Sequence, residues 1–455
     1  MSDLKDAKDL TQGPIGRTLF FFALPILAGN CAQSLNGSIN AMWIGRYLGE
    51  AALTAASNAN TVLFFLTSFV IGTAMAATIL LGHAVGRQNK AELHHIMGTG
   101  LTIFAAIATL ICSIGFFLTP SLLDLMQTPP SARLFAIDYL RLIFLGVPAL
   151  FVFLFLTSAL RGVGDARTPL YFSLLAIVLD VLLNPLFIFG LKPIHAMGIA
   201  GSAVAMLLSQ TCALLSLLYY LHDKQHLLWL GRSQWSYLRI QWPIARAILL
   251  KGLPMGGQLT LLSLSIIAIL TMVNPYGTPT AAAYGAATQL WGYIQMPAIA
   301  VAAACSAMAA QNIGSQRWDR VDAITRYGVL WNVVMTGTAI GAILAFERSL
   351  FQLFIPPHTA AMLIGLHLNH IVIGSFLFFG IVLVVSSVIR ASGHVIVPLV
   401  ILAISLWGIR IPMARLLTPI YGADGIWWSF PFSSVTSTVL SLSYYKWGKW
   451  RQQEF

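Results

Sequence analysis

The sequence predicts an all-α polytopic membrane protein, with twelve transmembrane helices in two six-helix lobes related by a pseudo-twofold axis along the membrane normal. Three observations predict it. The chain is 58% hydrophobic and only 9% charged, where a soluble domain carries about a quarter charged residues. Its apolar runs are continuous over about 20 residues instead of alternating, the pattern of helices and not of barrel strands in lipid. Landmarks of the first half also return in the second at a near-constant offset.

In chain order the spans fall at 17–43, 52–81, 94–118, 133–158, 168–190 and 198–221, then 246–274, 281–308, 323–346, 363–388, 396–418 and 424–446. With both termini in the cytoplasm, the inner segments hold 19 Lys and Arg against 7 outside, as the positive-inside bias requires. The net charge of +11 is therefore topological and does not point to nucleic acid. Pro25 of ALPILAGN returns as Pro254 of GLPMGGQL, and GHAVGRQNKAEL (82–93) as AQNIGSQRWDRV (310–321). Pro129-Pro130 returns as Pro356-Pro357, ALRGVGDARTPL (159–170) as VIRASGHVIVPL (388–399), and GIAG (198–201) as GADG (422–425). Such a repeat gives two like-oriented lobes: residues 1–222, then a cytoplasmic linker 223–245, then 246–455. The N-terminal MSDLKDAKDLTQGPIGR does not read as a cleavable signal peptide.

The stretch LLAIVLDVLLNPLFIFG (174–190) carries the chemistry. Asp180 lies ~18 Å along a helix that enters near Thr168, close to mid-membrane. An ionised carboxylate there costs about 2.5–3.5 kcal/mol, so it needs water, a partner or a proton. Asn184 follows at i+4 on the same face, and Pro185, lacking an N–H, frees a carbonyl one turn back. The first span adds Gln33, Ser34, Asn36, Ser38 and Asn40, which face protein or water, either as a lining or as helix–helix adhesion. Asn40 sits at a depth comparable to Asn184, and contact between them is expected.

The second half has no central acid, and position 409, the repeat partner of Asp180, is Ile. Its polar spans carry Gln258 with Ser263, Ser265, Thr271 and Asn274, then Thr288, Gln289, Trp291, Tyr293 and Gln295. Trp291 and Tyr293 suit an organic cation through cation–π contact, packing being the alternative. The remaining motifs read as architecture. RGVGDARTP (161–169) lacks phosphate-loop spacing and makes a tight turn, with Asp165 pairing Arg161 or Arg167. Arg410 and Arg415 snorkel to the outer headgroups, and His83, His94 and His95 are solvated at an inner loop. Cys31, Cys112, Cys212 and Cys305 read as buried free thiols, and KWGKWRQQEF as an interfacial anchor. No metal-ligand spacing occurs.

LTQGPIGRTLFFFALPIL, INAMWIGRYLG, AQNIGSQR, RGVGDARTPL, NPLFIFG and GIAGSAVAMLLSQ, in order through both halves, resemble the multidrug and toxic compound extrusion (MATE) transporters. The resemblance implies a V-shaped, two-lobed exporter that works by alternating access, usually as a monomer. Such proteins expel cationic or amphipathic compounds in exchange for protons or sodium ions. On the residues themselves, Asp180, Asn184 and Asn40 are the candidates for ion coupling, and Gln33, Asn36, Gln210, Gln258, Gln289, Trp291 and Tyr293 those for lining the substrate path. The family commonly has Asp where this chain has Asn40, and in the fifth span Asn followed by Asp, the reverse of Asp180 and Asn184. Met206 stands where the sixth span usually offers Thr. A sodium site wants several hard oxygens including carboxylate charge, so the single carboxylate favours H+, with Na+ the alternative. No cofactor is expected, nor an enzymatic activity, since no acid or His cluster lies at an interface. A lipid-linked oligosaccharide flippase is the other alternative. It needs cationic residues in its cavity, and the first lobe has no Lys or Arg mid-span. The expected setting is the bacterial inner membrane.

Overall fold

The computed structural model describes residues 9–190 and 195–451, so Lys5, Lys8 and Lys192, which entered the charge count, lie outside it. Every regular element among the described residues is helical. The first two spans form one long helix, α1 (Ile15–Gly86), interrupted at Gly49, whose φ of 84° is a left-handed conformation that a Cβ would strain. Then come α2 (Lys90–Leu125), α3 (Pro130–Gly162), α4 (Arg167–Phe189) and α5 (Ile199–Asp223). The second half has α6 (Trp242–Val273), α7 (Thr278–Gly314), α8 (Trp318–Ala345) and the short α9 (Glu347–Gln352). Its tenth span is built from α10 (Ala360–Val372) and α11 (Ser375–Ala391), bent by 46° at their break. The eleventh is α12 (Ile396–Ala403), a π-helical segment at Ile404–Arg410, and α13 (Ile411–Tyr421); α14 (Asp424–Trp447) is the twelfth.

The internal repeat extends to backbone torsions. Ten of the thirteen left-handed residues among those described fall in pairs about one period apart: Gly49 and Gly277, Gln88 and Gln316, Gly164 and Gly393, Gly198 and Gly422, and Gln127 with His358. Each pair marks the same corner in both halves. Close helix contacts recur as well. In lipid, helices associate through small residues that let backbones approach. A Cβ on Gly201 would stand 2.4 Å from the Phe187 carbonyl oxygen, and one on Gly425 would stand 2.5 Å from the Leu417 carbonyl carbon.

The chain forms two compact units. One is built on Ala28–Leu253, and the other comprises Leu10–Leu27 and Pro254–Phe455. The chain changes unit beside the two repeat-related prolines, Pro25 and Pro254. Within the second unit, Leu10 is fully buried and its N–H donates to Gln311 Oε1 at 3.0 Å. Arg317 donates to the Thr11 carbonyl at 2.8 Å, Arg320 to that of Gly13 at 3.1 Å, and Trp331 to that of Gly16 at 3.0 Å. Within the first unit, the segment after α5 is pinned to α2. His94 Nε2 pairs with the Leu227 carbonyl (3.1 Å), and Thr102 donates to the Leu238 carbonyl (2.8 Å).

Several expectations are corrected here. His83 and His94 are buried, His94 beneath the segment after α5, and His95 is half-exposed. Asp165 pairs with neither arginine; its Oδ1 accepts the backbone N–H groups of Arg167 and Thr168 at 2.9 and 3.0 Å, satisfying the start of α4. Of the four free thiols only Cys305 is buried, and Cys212 is exposed. In the tail, Trp450 is no interfacial anchor. It is fully buried, stacked on Tyr445, and donates to the Tyr445 carbonyl.

Candidate functional site

Two i, i+4 pairs meet in the first unit. α1 supplies Asn36 and Asn40, and α4 supplies Asp180 and Asn184. Helical spacing puts each pair on one face of its helix. Asp180 is 4% exposed and Asn184 fully buried. Asp180 Oδ2 accepts from Asn40 Nδ2 at 2.7 Å and from Asn36 Nδ2 at 2.9 Å. Asn184 Nδ2 lies 3.2 Å from Asp180 Oδ1, 3.1 Å from the Asp180 carbonyl and 3.0 Å from Asn40 Oδ1. Three amides thus converge on one carboxylate, and no cationic side chain contacts it among the described residues.

The arrangement is suited to two protonation states. Amide N–H donors solvate the ionised carboxylate in place of water. A protonated carboxyl needs an acceptor instead, and a flip of the Asn36 or Asn184 amide would supply one, since the Oδ1 of each is buried without a partner to lose. Tyr139 of α3, hydrogen-bonded to Ser202 of α5, lies within electrostatic reach of Asp180. Neither residue was legible as part of this site in the sequence, because a Tyr or Ser in an apolar span has no distinguishing spacing.

The residues expected to line a substrate path fall in both units, Gln33, Asn36 and Gln210 in the first and the rest in the second. Asn36 joins the carboxylate cluster, and Gln33 is exposed on α1. Gln210 is half-buried, its Oε1 without a partner. Gln258 accepts a hydrogen bond from Arg390 at 2.9 Å. Gln289 and Tyr293 are exposed one turn apart on α7. Trp291 is 3% exposed in the core of the second unit. Its indole donates to Asn369 at 3.1 Å, and its ring packs on Tyr284, Phe376 and Phe430.

Arg410 corrects another expectation. It does not snorkel: it is 8% exposed, whereas Arg415 is exposed. The π-helical segment turns Ser405, Leu406 and Arg410 to the buried side together. The second lobe is therefore not devoid of buried charge, and the repeat held the signal, since Arg410 adjoins the position equivalent to Asp180.

Two helical units repeating one design, with a buried carboxylate inside the first, define a polytopic helical membrane protein. The MatE family model matches residues 25–186 and again 254–416, and the chain belongs to that family. It is 33% identical to the probable multidrug resistance protein YoeA of Bacillus subtilis, over 97% of this chain and 95% of that protein. It is 25% identical to an FAD transporter of Shewanella oneidensis, over 97% of this chain and 96% of that one. Among solved structures, an outward-facing MATE transporter of the MOP superfamily superimposes with a TM-score of 0.90 at 17% identity, covering 98% of each chain. The two matched stretches of the family model coincide with the two halves of the repeat.

Proposed function

We propose that this protein exports cationic or amphipathic organic compounds across the bacterial inner membrane, with its termini in the cytoplasm, by antiport against protons that Asp180 takes and releases. The amide cage with two spare acceptor oxygens is the observation that supports this most. Uptake of a proton from outside neutralises the carboxylate and releases the N–H bonds that tie α4 to Asn36 and Asn40. α4 then adjusts around Pro185, where one ladder hydrogen bond is missing. That movement closes a substrate pocket on the first unit, substrate leaves outward, and proton release to the cytoplasm resets the cycle. One charge moving through ~100 mV supplies about 2.3 kcal/mol, or roughly fiftyfold concentration.

A sodium-coupled reading has its own support. The orphan oxygens of Asn36 and Asn184 beside a carboxylate are the hard donors such an ion takes. The single carboxylate favours the proton. Purified protein in proteoliposomes, given a proton gradient or a sodium gradient separately, distinguishes them. Ethidium transport is expected with the proton gradient alone; transport driven only by sodium contradicts the proposal.

A further inference from the structure

The guanidinium of Arg410 is buried in the second unit with one hydrogen bond to its name. Its Nε donates to Ser433 Oγ at 2.9 Å, and its Cζ stands 4.4 Å over the Phe430 ring. Of five N–H donors on a guanidinium, four have no protein acceptor among the described residues. No carboxylate pairs with it there either, and the ionisable group in electrostatic contact with it is the phenol of Tyr284. The Arg410 Nη nitrogens are not among the side-chain atoms sealed from solvent without a partner, so the donors that the protein leaves unused stay open to a ligand. The remainder of the shell is aromatic or hydroxylic. Tyr284 stacks on Trp427 at 5.8 Å, and Trp291 packs on Phe430 at 5.6 Å.

A second polar group on the same segment is buried and unsatisfied. Ser405 is 2% exposed and its Oγ has no hydrogen-bond partner. In a π-helix, i→i+5 bonding brings residues five apart close to the same face, and Ser405 and Arg410 are both on the buried side of that segment. The guanidinium fork offers two parallel N–H donors matched to two oxygens of one anion.

We propose that the Arg410 guanidinium forms an oxyanion subsite in the second unit, which takes the carboxylate or phosphate of an aromatic compound. This deepens the transport reading, on which it rests for the presence of a substrate. The exported molecules then include zwitterions, whose acidic group is held by the second unit. Their aromatic body lies against Tyr284 and Phe430. The guanidinium reads planar oxyanions through two parallel N–H bonds, and a neutral ester of the same acid satisfies it poorly.

The test is equilibrium binding to the purified full chain in lipid nanodiscs, without any ion gradient. The probes are a piperazinyl-quinolone carboxylic acid and its methyl ester, with a phenylphosphate competitor as the second oxyanion. The wild type is expected to bind the acid about tenfold or more tighter than the ester, and phenylphosphate to displace the acid. Arg410→Gln removes that preference. Arg410→Lys keeps the charge, but not the fork, and retains only part of it. If Arg410→Gln does not survive extraction, the lysine variant decides: an unreduced preference overturns the proposal. An equal affinity of the wild type for acid and ester overturns it too, as does a preference that persists in folded Arg410→Gln. Asp180→Asn is expected to keep the preference, so failure of the coupling mechanism and failure of this subsite are separately visible.

Discussion

Replacing Asp180 by Asn is expected to abolish substrate-driven proton exchange, reducing it to the background of protein-free liposomes, while the protein still folds and extracts. The substitution is nearly isosteric, and it leaves Asn36 and Asn40 facing an amide oxygen that accepts as the carboxylate did. It removes the only acid in the cluster. A group that cannot change its protonation cannot distinguish the two sides of the membrane. A buried charge is also relieved, so melting temperature in detergent should hold or rise. Asn40→Ala and Asn36→Ala each delete one donor to Oδ2 and are expected to be milder, because the second amide remains. Undiminished proton-coupled transport by Asp180→Asn sinks the mechanism, since no other acid lies within the cluster.

The second large effect concerns the fold. Gly201→Leu is expected to destabilise the protein by about 3 kcal/mol or more. Its Cβ would stand 2.4 Å from the Phe187 carbonyl oxygen and 2.8 Å from the Ile188 nitrogen, backbone atoms of the neighbouring helix that cannot rotate aside. Gly425→Leu should cost a similar amount against Leu417 and Thr418, because the repeat builds the same contact twice. Gly257, with open space where a Cβ would go, is the control, and Gly257→Leu should melt like wild type. Detergent-phase melting of the three variants checks this. A Gly201→Leu protein as stable as Gly257→Leu would show that the α4–α5 contact does not hold the first unit together.

Much of this architecture was readable in advance because lipid makes the rules few. Every backbone polar group must be satisfied within its own helix, so continuous apolar runs translate directly into spans. The repeat was legible from Pro25 and Pro254 or from GIAG and GADG, residues whose roles are set by backbone geometry. Asp180 and Asn184 were legible because polarity inside an apolar run stands out. Three kinds of feature were not. The enclosure of His94 and Trp450 depends on loops folding back, which periodicity does not record. Tyr139 joins the site from a different helix, with nothing in its neighbours to announce it. The burial of Arg410 depends on a π-helical register, which rotates its side chain inward from where a regular helix of the same sequence would place it.

The central claim is that the first unit's carboxylate exchanges a proton as substrate comes and goes. Infrared difference spectroscopy of the protein in nanodiscs, recorded on adding substrate at constant pH, tests it most directly. A carboxylic-acid C=O band should disappear, with carboxylate bands growing in its place, in wild type and not in Asp180→Asn. The same band change persisting in Asp180→Asn, or no change in wild type under saturating substrate, would contradict the account.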